Sequence, residues 1–404
     1  MRVSTSCGEK VVSQGQSGQT EIRWIVGSTV YDFRLYVGSQ PAAPIDSVEV
    51  RRDFESVPII LRELADEVLR GNVDMAHLSQ FLATVMPQVG IAELPQLIAT
   101  LVPRCLHSLK FNEIFPLWER HGFHVLPVHF YQPIPDTQSL SERLWAQPSK
   151  LAGIDMNDSG QLDLLRNQFP KFRDEYEQIP IKPTGDGSGF HLSNTLFGGT
   201  DALVAYCMVR QFQPSLIIEI GSGLSSLLLA QAAEKNQSSD LVCVEPFPRE
   251  FVRKGFPGLR SLIEKKVEDI DPKFFSQLES GDLLFIDSSH TVKIGGDVNY
   301  LFLEVLPRLK PGVILHVHDI FLPFEYRRDW VMTEFRFWSE QYLLQAFLTF
   351  NSEFEVLMAN RYLAHRYVED LKAAFPNLEN IEALRPKPLR WIGGSFWMRR
   401  KPQR

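Results

Sequence analysis

Cysteine is scarce in this 404-residue chain, and its four copies, Cys7, Cys105, Cys207 and Cys243, show no C-x-x-C spacing. That leaves no basis for a disulfide framework or a thiolate zinc site, and Cys243, inside an apolar strand pattern, reads as core. No apolar run reaches bilayer length, and the opening MRVSTSCGEKVVSQGQSGQTEI lacks the apolar segment of a secretion signal. Excess positive charge is missing as well. The net charge is −7, without the basic stripe that nucleic-acid binders carry, and it weighs against anionic membranes. The expectation is a cytoplasmic protein whose partner is a small molecule, with neither nucleic acid nor membrane. A hydrophobic content of 44% and a charged content of 23% are ordinary for a globular chain, and the length suggests two domains or one elaborated domain.

What the chain does have is one organising stretch, residues 217–245, IIEIGSGLSSLLLAQAAEKNQSSDLVCVE. A short apolar run breaks at Gly221-Ser222-Gly223, a helical pattern follows through Leu227, Leu228 and Ala232, and a second apolar run ends in Glu245. Strand, glycine turn, helix, strand and terminal acid make a βαβ nucleotide-binding unit. The glycines admit close approach of backbone N–H groups to a ligand, with Ser225 and Pro246 completing the candidate cradle, and Glu245 is placed for ribose hydroxyls. A dinucleotide fingerprint wants a third glycine where this chain has Ser226. Glu219 precedes the first glycine by two residues, where a carboxylate repels a pyrophosphate but suits an ammonium group. Both features disfavour a nicotinamide cofactor. The pattern resembles the class I S-adenosylmethionine (SAM)-dependent methyltransferases; the alternative is a βαβ unit that binds nothing.

Upstream, residues 1–20 are polar and expected to be mobile, whereas EIRWIVG and VYDFRLYVG alternate as a β-hairpin, with SVEVRRDF a possible third strand. Residues 56–121 keep a helical period through Leu61, Leu64, Ala65, Val68 and Leu69. Residues 1–121 therefore read as an N-terminal α+β auxiliary region, hairpin then helices, with no chemistry of its own and a role in homo-oligomer assembly. Residues 122–200 read as a connecting or lid segment; the spacing of His121, His124 and His129 fits no metal template, and IPIKPTGDGSGF is a flexible loop. Residues 201–404 form the catalytic domain. Its remaining strands are expected at 261–267, 282–287, 312–321, 354–358 and 395–401, with helices at 298–309 and 329–350 and a helix plus Pro-rich loop at 361–390. The last two strands are joined locally, so the last one enters antiparallel. The fold class is α/β, a Rossmann-like sheet of seven strands as in class I methyltransferases.

Ligands of open α/β sheets sit beyond the carboxyl ends of the strands. Those ends supply Glu219, Glu245, Glu268 and Asp269, then Asp287 and His290 in DSSH, and His318 and Asp319 in HVHD. Asp287 and Asp319, with His318, form a hard-oxygen cluster suited to Mg²⁺ or another divalent ion, which would lower the pKa of a hydroxyl. His290 could take that proton. Equally, Asp287 could face the methionine end of the cofactor without metal, and His318 and Asp319 could be a plain hydrogen-bonded pair. Phe190, Asn194, Phe197, Tyr326 and Trp330 are candidate pocket walls.

FIDSSH, HVHDIFLPFEY, WSEQYLLQAFL and the earlier HFYQPIPD resemble the methyltransferases found near bacterial sugar and natural-product clusters, over residues 128–401. The layout is similar to metal-dependent macrolide-sugar O-methyltransferases and cephalosporin-hydroxylase-like proteins. This resemblance implies Asp287 as a Mg²⁺ ligand, His290 as general base and an oligomer-building N-terminal region. It departs at His318, where the relatives carry a glutamate. The implied activity is SAM-dependent O-methylation of a hydroxyl on a small natural product or sugar. Metal-independent N- or C-methylation and a catalytically silent scaffold remain open.

Overall fold

The computed structural model describes the strand residues within 2–36, a few positions between 115 and 126, and residues 128–402 apart from 186–188, 238 and 386–392. The chain divides into two compact units, Met1–Pro127 and Val128–Arg404.

In the first unit, β1 (Arg2–Thr5), β2 (Gly8–Gln14), β3 (Gln19–Val26) and β4 (Thr29–Tyr36) form an antiparallel meander in chain order. The expected hairpin is β3–β4, closed by two residues between Val26 and Thr29. The polar N-terminal segment, expected to be mobile, instead contributes β1 and β2: backbone pairing to β3 organises residues that carry no hydrophobic signal. The strand expected at 47–54, nearly all of the helical pattern at 56–121, Cys7 and Cys105 lie outside the described residues.

The second unit is built on β5 (Leu216–Ile220), β6 (Asp240–Val244), β7 (Leu259–Ile263), β8 (Leu283–Ile286), β9 (Ile314–Val317), β10 (Phe354–Ala359) and β11 (Phe396–Arg400). Their order across the sheet is β10-β11-β9-β8-β5-β6-β7. The strands β5 to β9 pair in parallel, and β11 enters antiparallel between β9 and β10. This is the α/β, Rossmann-like seven-stranded class I methyltransferase sheet expected from the sequence.

Strand residues alternate between two cores because successive side chains point to opposite faces. Ile217, Cys243, Phe285 and Trp397 face helices α1 (Gly199–Phe212) and α2 (Leu224–Asn236); Ile218, Val244, Ile286 and Met398 face the helical residues 297–308. Covered on both sides, the central strands read as continuous apolar runs. Phe169, Phe190, Leu192 and Phe197 belong to the first core. Residues 128–200, within the 122–200 expected as a connecting or lid segment, fall in the same compact unit as the sheet.

Three local expectations change. The third strand ends at Ile263 rather than 267: Lys265 N bonds back to Ile263 O at 2.9 Å, which turns the chain out of the sheet. The single helix expected at 329–350 is two, α3 (Arg328–Met332) and α4 (Glu340–Leu348). Between them the N–H groups of Thr333 and Glu334 both bond to Asp329 O, Arg336 N bonds to Trp330 O, and Phe335 takes φ +56. Asn360–Arg366, Val368–Ala374 and Leu378–Leu384 are three helices where one was expected.

Candidate active site

The order of the strands reverses between β5 and β8, and a cleft of about 510 Å³ opens beyond their carboxyl ends. Its floor is the turn after β5. Gly221 takes φ +83, and a Cβ there would lie 1.8 Å from the Asp287 carbonyl oxygen, so only glycine fits. Gly223 faces open space, with no atom within 4 Å of an added Cβ. Ser222 N donates to Glu245 Oε2 at 3.2 Å, and Phe247 N to its Oε1 at 2.7 Å, so the acid ending β6 is braced at the cleft wall beside the turn. This glycine cradle, the backbone of Gly221–Ser225 and the carboxylate of Glu245 fit an adenosyl cofactor that carries an amino-acid end.

Glu219, expected to meet the cofactor's ammonium group, does not line the cleft. It is fully buried beneath the turn, where Ser225 Oγ donates to Oε1 at 2.6 Å and Ser226 Oγ to Oε2 at 2.5 Å. Ser226 Oγ also accepts from Gly223 N at 3.0 Å. The residue that replaces the third glycine thus ties the turn to the buried acid. Burial pushes the Glu219 pKa up to about 7 against the lowering effect of both serines. Glu268 and Asp269 also lie off the cleft, in the turn Val267–Asp269 beyond the early end of β7, and Pro246 is not among the lining residues. Of the proposed walls, Phe197 and Trp330 line the cleft; Phe190, Asn194 and Tyr326 are buried behind it.

At the carboxyl ends of β8 and β9 the structure gathers Asp287, His290, His318 and Asp319 at one wall of the cleft. Asp287 Oδ1 lies 3.3 Å from both His290 Nε2 and His318 Nδ1. Asp319 Oδ2 is 3.6 Å from His290 Nε2 and 3.7 Å from His318 Nδ1. On the far side of each imidazole stands another buried acid: Glu340 Oε2 at 3.0 Å from His290 Nδ1, and Asp201 Oδ2 at 3.7 Å from His318 Nε2. Asp201 is itself held by the N–H groups of Gly394 and Ser395 and the amide of Asn360. His290 and Asp319 both adopt positive φ, +57 and +54, backbone that non-glycine residues take rarely and that clusters at functional sites.

Burial disfavours charge on all of these groups, yet the pairing wins for most. His290 is raised to about 10 by its hydrogen bonds to Asp287 and Glu340 and by the Asp319 charge. His318 is raised by Asp319, Asp287 and Asp201. Those two cations hold Asp287 far below the usual carboxylate range. For Asp319 and Glu340 desolvation dominates, and both are raised.

The cluster does not fit the expected divalent-metal centre. Asp287, His318 and Asp319 do meet, with Asp287 Oδ1 between the two imidazoles. Among the described residues no group of three or more His, Cys, Asp or Glu is arranged to hold a metal ion.

The sequence reading missed Asp201, Asn360, Glu340, Trp338 and Arg336. Asp201 left a signal, the lone acid of α1, in its first turn. Glu340 left none, because the helix break that presents it was not visible. Trp338 lies against the His290 ring at 4.4 Å, and the Arg336 guanidinium sits over Trp330 and Trp338 at 4.8 and 5.1 Å.

Residues 218–320 match the family of methyltransferase domains, a span that runs from β5 to just beyond β9. An uncharacterized protein of Archaeoglobus fulgidus is 30% identical over 162 residues, covering 38% of this chain and 73% of that one. Among solved structures, the O-methyltransferase TomG of Streptomyces achromogenes, involved in tomaymycin synthesis and solved in complex with SAM, is 16% identical. That alignment covers 50% of this chain and 78% of TomG at a TM-score of 0.31. No helix among the described residues is long and apolar enough to cross a membrane.

Proposed function

Because the chain belongs to the class I SAM-dependent methyltransferases, we propose that it methylates a hydroxyl group of a small natural product or sugar, with His290 accepting the hydroxyl proton. The observation that supports this reading is the placement of His290. Its Nε2 lies at the cleft between Asp287 and Asp319, while Nδ1 is engaged from behind by Glu340. SAM supplies, when bound, a methyl group on a sulfonium that needs no further activation. The protein's tasks are then to align the acceptor and to remove its proton.

The glycine turn and Glu245 hold the cofactor at one side of the cleft. On the other side, Asp319 and Asp287 present carboxylate oxygens to an acceptor hydroxyl. His290 takes the proton on Nε2 as the oxygen–methyl bond forms. Because its neighbours hold it cationic at rest, His290 sheds a proton before it can receive one, so turnover rises with pH. No step passes through a metal.

The test is incubation of the full chain with methyl-labelled SAM and a panel of hydroxylated sugars, phenols and polyketides, with products read by mass spectrometry. Label on oxygen supports the proposal. Label on nitrogen or carbon replaces it, and SAM binding without transfer to any acceptor makes the chain a silent scaffold.

A further inference from the structure

His290 is gripped through its backbone as well as through its side chain. Its carbonyl, at a left-handed φ of +57, accepts from the N–H of Ser339 at 2.9 Å and of Glu340 at 3.1 Å. Two residues on, Val292 N donates to Ser339 Oγ at 2.8 Å. The indole of Trp338 lies against the imidazole, and Glu340 Oε2 meets Nδ1 at 3.0 Å. Three consecutive residues, at the point where the helix expected at 329–350 breaks, thus hold the carbonyl, the ring face and one ring nitrogen of the same histidine.

Glu340 is fully buried, and its Oε1 has no hydrogen-bond partner among the described residues. A buried carboxylate with an orphaned oxygen is costly. Among the described residues its side chain hydrogen-bonds to His290. We infer that Glu340 is a positioning residue: it fixes the proton of His290 on Nδ1 and turns Nε2 to the cleft, with Trp338 and Ser339 locking the ring and backbone in that attitude. The logic is that of any imidazole base oriented by a carboxylate behind it. This rests on His290 being the base.

The experiment reads the geometry without an acceptor, so its failure is distinct from a failure to find methyl transfer. The full chain is prepared with isotopically labelled imidazole nitrogens, and the His290 signal is identified among the ten histidines by its loss in His290→Gln. In the wild type, Nδ1 carries a slowly exchanging, hydrogen-bonded proton. In Glu340→Leu that proton exchanges faster by about tenfold or more, while the Kd for S-adenosylhomocysteine stays within about twofold. Glu340→Gln, which keeps the length and loses the charge, gives an intermediate rate and serves if Glu340→Leu does not fold. A wild-type Nδ1 without a proton overturns the inference, as does an unchanged exchange rate in the folded variants. A parallel loss of cofactor affinity makes Glu340 a structural residue and overturns it too.

Discussion

The backbone of Asp287 closes over Gly221: the carbonyl oxygen at the end of β8 lies where the Cβ of any other residue at 221 would be, at 1.8 Å. The turn proposed to hold the cofactor and the carboxylate shared by the two histidines are therefore one contact apart. Asp287 N also bonds to Ile220 O at 2.8 Å. Gly221→Ala adds a methyl group that nothing flexible can yield to, at a φ of +83 that alanine resists. The expected result is a loss of about 2 kcal/mol or more of stability together with undetectable binding of S-adenosylhomocysteine. Thermal unfolding and titration calorimetry check it; a variant that binds normally contradicts the fit described for the turn.

Glu245 should carry much of the cofactor's affinity. Both of its oxygens are steered by backbone N–H groups, from Ser222 and Phe247, so the carboxylate is already oriented before any ligand arrives. Glu245→Ala removes a charge-assisted acceptor and is expected to weaken cofactor binding by about 2 kcal/mol, a factor of about 30. Calorimetry that returned the wild-type affinity would remove Glu245 from the site.

The placement of Gly221 and Glu245 at the cleft was legible in the sequence because it is set locally. A glycine after an apolar strand and an acid ending the next strand, within one βαβ unit, carry their own geometry. Asp287, His290, His318 and Asp319 were legible for a related reason: parallel strands bring their carboxyl ends together whatever lies between. Glu219 was misplaced because the same position beneath a turn can point at a ligand or into the core. Which it does depends on Ser225 and Ser226, whose hydroxyls capture it. Glu268 and Asp269 stand off the cleft because β7 ends at Ile263, a few residues before them. Glu340 and Asp201 could not have been linked to the histidines from sequence, since each contact spans a long separation and rests on a helix break or a buried helix start.

Glu219 makes stability depend on pH in a definite direction. Its ordinary pKa of 4.5 is pushed up to about 7 in the fold by burial, so the native protein favours the protonated form. Its contribution is fully present below pH 4.5 and is lost as pH rises through about 7. The difference is worth up to about 3 kcal/mol. Glu219→Gln keeps the shape without the titration, so its stability curve should be flatter than that of the wild type between these pH values. Chemical denaturation at stepped pH reads the difference; parallel curves would mean that the acid is ionised in the folded protein throughout.

The remaining prediction concerns His290 and Asp287 together. If His290 is the base, His290→Ala removes the proton acceptor but leaves the glycine turn and Glu245 intact. Turnover should fall by roughly 10²–10⁴ with cofactor affinity almost unchanged. Wild-type rates should climb across neutral pH toward the His290 value of about 10 instead of levelling near 6.5. Asp287→Ala should be worse than the loss of the base alone. It strips the shared anion from between two imidazoles and leaves them facing each other, so thermal stability as well as kcat should drop. Rigorous chelation should leave the wild-type rate intact, because among the described residues no group of three or more His, Cys, Asp or Glu is arranged to hold an ion. A rate abolished by chelation and restored by Mg²⁺ would show that the carboxylates rearrange around an ion. Full activity in His290→Ala would move the base elsewhere in the cleft, with Asp319, raised by burial and placed 3.6 Å from His290 Nε2, the next group to substitute.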